Sequence, residues 1–260
     1  MNIDKLNNIA KKIRQDVFQM ITDKGGGHYG GSLSTVEILV SLYYKIIDLE
    51  DRFVLSKAHA GAALYSVLAS KGIIDKKLLN TYGKDGSALG IHPETKLLPQ
   101  IEFSSGSLGH GLPFSIGLAL GLKKLGKSNN VYCLIGDGES QEGSVWEAGL
   151  FAAHHKVDNI IAITDYNKKQ SSGLIKNILG LDKLIDKWTA FGWHTVHVDG
   201  HSCEDIIKTV FQTNQVIEKP KMIIADTVKG KGISFIENRE MCHFDRLSEK
   251  EINKAKRELF

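Results

Sequence analysis

The 260-residue chain predicts an α/β fold, a doubly wound parallel sheet with helices on both faces, in one domain over residues 1–260. Three observations carry that prediction. Short apolar runs such as Val131–Ile135 lack polar alternation, as strands buried on both faces do. Stretches of helical period separate those runs, so strands and helices alternate along the chain. Glycine, at 26 residues, is more frequent than the usual ~7% and concentrates in the loops between elements.

The elements follow in order. Ile3, Leu6, Ile9, Ile13, Val17 and Met20 mark an amphipathic first helix. Ser34 and Glu37 have the spacing of a capping box, which opens a second helix through Leu39, Leu42 and Tyr43. A third helix runs from Ala60 to Lys71 and stops at Gly72. Pro113–Leu125 is apolar and rich in small residues, and is expected to be buried, in part against a partner. Val131–Ile135 forms a strand ending at Gly136-Asp137-Gly138, and Gln141–His154 a helix whose Val145, Trp146, Leu150 and Ala153 recur at helical spacing. Asn159–Thr164 is the next strand, closed by Asp165-Tyr166-Asn167; Trp193–Val198 and Lys221–Asp226 are two more. A polar helix, Ser248–Phe260, begins with the capping box Ser248–Glu251.

Composition narrows the function. A net charge of +3 without a basic stripe or interleaved aromatics argues against nucleic acid. No apolar stretch reaches membrane-helix length and the N-terminus has no apolar leader core, so no membrane role is expected. Cys133, Cys203 and Cys242 are odd in number and widely spaced, which fits a reducing, cytoplasmic setting; Cys133 reads as plain core.

The chemistry concentrates between Val131 and Gly173. Two parallel strands joined by a right-handed crossover place their C-terminal ends on one edge, where open α/β sheets bind ligands. Asp137 and Asn167 therefore meet there. A carboxylate and an amide oxygen suit Mg²⁺, with the backbone carbonyl of Lys169 as a third ligand. Gly136 and Gly138 let the backbone approach a diphosphate, and Gly138 can take a conformation closed to other residues.

This run, VYCLIGDGESQEGSVWEAGLFAAHHKVDNIIAITDYNKKQSSG, resembles the thiamine diphosphate motif of the transketolase family, which begins Gly-Asp-Gly and ends in Asn about thirty residues on. Other segments match that family in order. They are Lys24-Gly25-Gly26-Gly27-His28, then Leu55-Ser56-Lys57-Ala58-His59 with Ala58 where glycine is usual, then Gly90-Ile91-His92-Pro93-Glu94. Ser105-Gly106-Ser107-Leu108-Gly109-His110-Gly111 follows, with His110 for the commoner glutamine, then Asp226-Thr227-Val228-Lys229-Gly230-Lys231-Gly232 and His243.

The resemblance implies thiamine diphosphate and Mg²⁺ (or Ca²⁺) as cofactors. It places Asp137, Asn167 and Lys169 on the metal, and His59, Gly106, Ser107, Leu108, His110, Gly136, Asp137, Gly138, Glu142 and Asn167 at the cofactor. His28, His59, His92 and His243 would bind donor hydroxyls and move protons, while His201 lies in a loop that lines the site. The family's pyrimidine-binding and C-terminal domains, the first of which carries the glutamate that activates the cofactor, are expected to be absent from this chain. The expected reaction is transfer of a two-carbon ketol unit from a ketose or its phosphate to an aldose. This chain would act in the role of N-terminal subunit, its partner being a C-terminal transketolase subunit in an α2β2 assembly. A 2-oxo acid dehydrogenase or deoxyxylulose-phosphate synthase type is the alternative enzyme, and a non-catalytic scaffold the alternative outside enzymes.

Overall fold

A computed structural model describes residues 1–260. Five parallel strands form the sheet: β1 (Arg52–Leu55), β2 (Val131–Gly136), β3 (Ile160–Tyr166), β6 (His194–Asp199) and β7 (Lys221–Asp226). Their order is β1-β2-β3-β7-β6. A two-stranded antiparallel ribbon, β4 (Lys169–Gln170) with β5 (Gly173–Leu174), follows the end of β3. β1, only four residues long, is too short to stand out in the sequence.

The long helices supply the two covering layers. On one face lie α1 (Ile3–Asp23), α2 (Tyr29–Leu33), α3 (Val36–Ser41), α4 (Gly61–Ser70) and, later in the chain, the amphipathic helix Cys203–Thr213. On the other lie α5 (Gly111–Lys124), α6 (Gly143–His154) and, after the short α7 (Ile175–Ile178), α8 (Leu184–Ala190). The helix Cys203–Thr213 is α9, and α10 (Ser234–Glu237) and α11 (Glu249–Leu259) complete the chain. Alternation along each strand divides the core. Leu55, Leu134, Ile163 and Ile223 face the α1 side, while Val54, Cys133, Ala162 and Met222 face the α5 side. Burial on both faces is why these strands read as continuous apolar runs.

The chain crosses from β2 to β3 through α6 on one face, and from β6 back to β7 through α9 on the other. Progression along the sheet reverses between β3 and β7, so the loops at their C-terminal ends part and leave a crevice. Asp165 pairs in register with Ala225, and Tyr166 with Asp226, directly below it.

Two expectations need correction. Ser34 does not cap the second helix: Thr35 precedes α3 without a side-chain bond, and the Ser34 hydroxyl instead donates to Asp165. Glu37 pairs with Arg14 and His201 rather than with the helix start. Pro113–Leu125 is also only half buried. Ile116, Ala119 and Leu122 are core, but Phe114 and Leu125 are exposed. The Ser248–Glu251 capping box is present with both of its bonds.

Candidate active site at the carboxyl edge of the sheet

Four strand ends deliver the polar residues of the crevice. β1 ends in Ser56 and Lys57, β2 in Asp137, β3 in Asp165 and Asn167, and β7 in Thr227 and Lys229. A cavity of about 220 Å³ lies over these ends. Its walls include nine residues singled out from the sequence: His59, Leu108, Gly136, Asp137, Gly138, Glu142, Asn167, Lys169 and His243. Gly106, Ser107 and His110 lie outside these walls, and His110 is exposed at the start of α5.

Asp137 is buried, and its carboxylate accepts the backbone N–H of Gly138 at 2.8 Å and that of Lys168. Burial and the nearby Asp165 carboxylate push its carboxyl up to about 7. The Asn167 amide donates to Asp165 at 3.0 Å, and its oxygen accepts the N–H of Lys169 at 3.2 Å. The Lys169 carbonyl accepts from the Lys229 ammonium at 2.9 Å. Desolvation lowers the pKa of that ammonium. The Lys169 side chain points away and ties to the carbonyls of Glu237 and Arg239 at the end of α10, where a cation suits the helix dipole.

Asp165 is the hub beneath. Fully buried, it accepts from Ser34 at 2.7 Å, from the Lys57 ammonium, from Thr227 and from Asn167. Burial alone would raise its carboxyl; Lys57, together with the Thr227 and Ser34 hydroxyls, more than offsets this and holds it below the usual carboxylate range.

Glu139, not singled out from the sequence, ties two glycine loops together. Its carboxylate accepts from Ser56, from the N–H of Gly109 at 2.9 Å and from the N–H of Gly136 at 3.0 Å. Gly109 has φ +84°, and a Cβ there would lie 2.7 Å from both Glu142 Cβ and Ser144 Oγ. Gly138 does not use the positive φ open to glycine; its value is close approach, since a Cβ would meet Gln170 at 3.0 Å. Glu142 is exposed at the cavity mouth.

The four predicted histidines converge beside the cavity. Ring centroids lie 5.7 Å apart for His28–His59, 5.9 Å for His28–His92, 4.9 Å for His28–His243 and 4.8 Å for His59–His243. The His243 ring is placed by a bridge between Gly27 and Asp245, which pins the 242–245 segment onto the glycine–histidine loop. Gly30 makes room for that segment and Gly31 for the His59 ring. A Cβ at Gly30 would lie 2.3 Å from the Cys242 carbonyl, and one at Gly31 2.7 Å from the His59 ring. Desolvation lowers all four imidazoles, His28 to about 4 and His243 to about 3, with neighbouring cations and histidines adding to the effect in His28, His59 and His243. They stand neutral at pH 7, each with one donor and one acceptor nitrogen. His28 Nδ1 is buried with no partner.

His201 does not line the cavity. It braces the site from behind, bonded to Glu37 and to the N–H of Val228. His154 and His155 are exposed, and Trp146 stacks on Trp188 at 4.8 Å in the helical layer.

Residues 5–260 match the family model described as the thiamine diphosphate binding domain of transketolase. The chain belongs to the transketolase family. Among relatives, it is 41% identical over 253 residues to a 6-deoxy-6-sulfo-D-fructose transketolase subunit from Clostridium sp. (strain MSTE9), covering 94% of this chain and 92% of that one. It is also 41% identical to an apulose-4-phosphate transketolase subunit from Actinobacillus succinogenes, covering 94% of this chain and 91% of that one. A transketolase of Campylobacter jejuni superimposes with a TM-score of 0.92 at 32% identity, over all of this chain but 43% of that one.

The residues of this transketolase domain fit the family's cofactor. A carboxylate, an amide oxygen and a backbone carbonyl form the hard oxygen set that a small divalent cation takes. Asp137, pushed up by burial, is the kind of carboxylate that gains most from a cation. Lys229 offers positive charge to a diphosphate. Lys57, Glu139, Gln170 and Lys229 were all visible in the matched segments. Their roles depend on the long-range partners that folding supplies.

Proposed function

We propose that this chain is the diphosphate-binding subunit of a two-chain transketolase. It would move a two-carbon ketol unit from a ketose, or a ketose phosphate, to an aldose acceptor. The observation that carries the reading is the convergence of four neutral histidines beside the Asp137–Asn167 edge. Vicinal sugar hydroxyls need paired donors and acceptors, which neutral imidazoles supply. A 2-oxo acid has no such run of hydroxyls to bind.

Thiamine diphosphate, when bound, supplies the carbanion chemistry. Asp137, Asn167 and the Lys169 carbonyl would hold Mg²⁺ (or Ca²⁺), and Lys229 and His59 would face the diphosphate. His28 and His243 would bind donor hydroxyls, with the unpartnered His28 Nδ1 available for one of them. His92, at the exposed rim, would meet the sugar first.

A cavity of about 220 Å³ is smaller than the ~300–1,000 Å³ usual for small-molecule sites, so a second surface is needed to enclose the cofactor. Exposed apolar side chains on α5 and α6 (Phe114, Leu150 and Phe151) support docking of a C-terminal transketolase subunit, in an α2β2 complex. The three buried free cysteines support a reducing, cytoplasmic setting.

The test is to purify the chain with its co-expressed partner, titrate thiamine diphosphate and Mg²⁺, and assay ketoses against 2-oxo acids. Metal-dependent binding with ketol transfer and no CO₂ release supports the reading. CO₂ release from a 2-oxo acid, or cofactor binding without any turnover, overturns it.

A further inference from the structure

We propose that Asp165 is a positioning residue that fixes the Asn167 side chain with its carbonyl oxygen, not its NH₂, on the cavity side. The proposal rests on the reading of Asp137 and Asn167 as metal ligands. An amide has two ends of nearly equal shape and opposite function, and only one of them can bind a cation. Something must choose the end. The Asp165 carboxylate, accepting at both oxygens, faces the Asn167 amide at 3.0 Å. An ionised carboxylate offers no hydrogen, so only the NH₂ can face it, and the bond is strengthened by charge. The Asn167 oxygen is thereby turned to the Lys169 N–H, at the wall of the cavity.

Asp165 can do this because its own orientation is not free. Ser34, Lys57 and Thr227 hold it from three other segments, and both the Asp165 and Lys57 side chains are almost wholly inaccessible, at 0% and 1%. The Lys57 ammonium also donates to the Gly31 carbonyl at 3.0 Å, which fixes the cation itself. A carboxylate supporting a metal ligand from behind is a recurring device, and its loss typically weakens metal binding ~10–100-fold.

A purely structural ion pair would have the same appearance, so the test separates stability from orientation. Two double variants are compared in the assembled complex with thiamine diphosphate saturating, using Mn²⁺ as the probe and electron paramagnetic resonance to count the bound ion. Lys57→Met/Asp165→Asn retains an acceptor for the Asn167 amide; Lys57→Met/Asp165→Leu does not. Both remove the buried ion pair, a replacement that proteins often tolerate. The expectation is similar Tm for the two, with Mn²⁺ bound ~10–100-fold more weakly by the leucine variant. Equal Mn²⁺ affinity in the two overturns the proposal.

Should either double variant fail to fold, Asn167→Asp decides, since it leaves the ion pair in place. A carboxylate is the better ligand by charge, so a freely oriented residue 167 would bind Mn²⁺ more tightly. Facing Asp165, it is expected to bind more weakly, and tighter binding overturns the proposal. If the wild-type complex binds no Mn²⁺ at all, the assignment of Asp137 and Asn167 as metal ligands falls instead.

Discussion

His201 grips the Val228 amide from the side opposite the cavity: its Nε2 accepts that N–H at 2.8 Å while its Nδ1 meets Glu37 at 2.9 Å. The acceptor role at Nε2 places the proton on Nδ1, so the tautomer is settled by the backbone. Glu37 also pairs with Arg14, which donates to the Lys231 carbonyl at 2.8 Å. One carboxylate thus steadies both sides of Lys229 through two different side chains. His201→Ala is expected to cost about 1–3 kcal/mol of stability, from the amide and carboxylate left unpaired. It is also expected to weaken cofactor binding while leaving the histidine cluster intact. Thermal unfolding and titration calorimetry on the same preparation check both.

Asp137→Ala is expected to abolish metal-dependent cofactor binding without lowering the Tm of the metal-free chain. Its buried carboxyl, pushed up to about 7, opposes folding at neutral pH rather than favouring it. A large fall in metal-free Tm would show that Asp137 has a structural role instead.

The histidines set a pH dependence of definite sign. His243 has a folded pKa of about 3, below its unfolded value of about 6.5. Between those limits the unfolded chain binds the extra proton, so this group's contribution falls as pH drops below 6.5. Replacing it removes the penalty. Relative to wild type, His243→Asn should gain roughly 1 kcal/mol at pH 5 over its value at pH 7.5, discounted for partial exposure. Denaturant unfolding at the two pH values measures it, and an equal difference at both contradicts the assignment.

Gly109→Ala should destabilise the chain by about 1–3 kcal/mol, because a left-handed backbone and two contacts at 2.7 Å leave a methyl group no room. Gly136→Ala, whose Cβ would meet nothing closer than 3.8 Å, should be far milder. Comparing the two Tm values tests whether φ or mere proximity to the cofactor loop governs these glycines.

Leu150→Asp, at an exposed position on α6, should leave the Tm of the isolated chain nearly unchanged and weaken its association with the partner subunit. Analytical ultracentrifugation of the mixture reads the effect. Unchanged assembly would move the interface to another face.

The sheet was legible wherever burial on both faces made an uninterrupted apolar run, as at Val131–Ile135 and Lys221–Asp226. It was not legible at β1, whose four residues are held as a strand by pairing with β2 rather than by their own pattern. Ser34 misled because the spacing of a capping box is local, while the partner that claimed its hydroxyl is 131 positions away. The same reason hid Glu139 and Lys229, whose chemistry lies in what they reach. The histidines were found because each sits in its own recognisable segment, and the sheet then gathered them.

The order in which the chain matures follows from the bonds converging on Asp165. Its donors Ser34, Lys57 and Thr227 stand 131, 108 and 62 positions away in the chain, so three long loops must close before that carboxylate is satisfied. With Asn167 fixed by Asp165, the cofactor would meet a complete site only once those loops have closed. Bound cofactor would then stabilise the completed fold, and its assembly with the partner, by mass action.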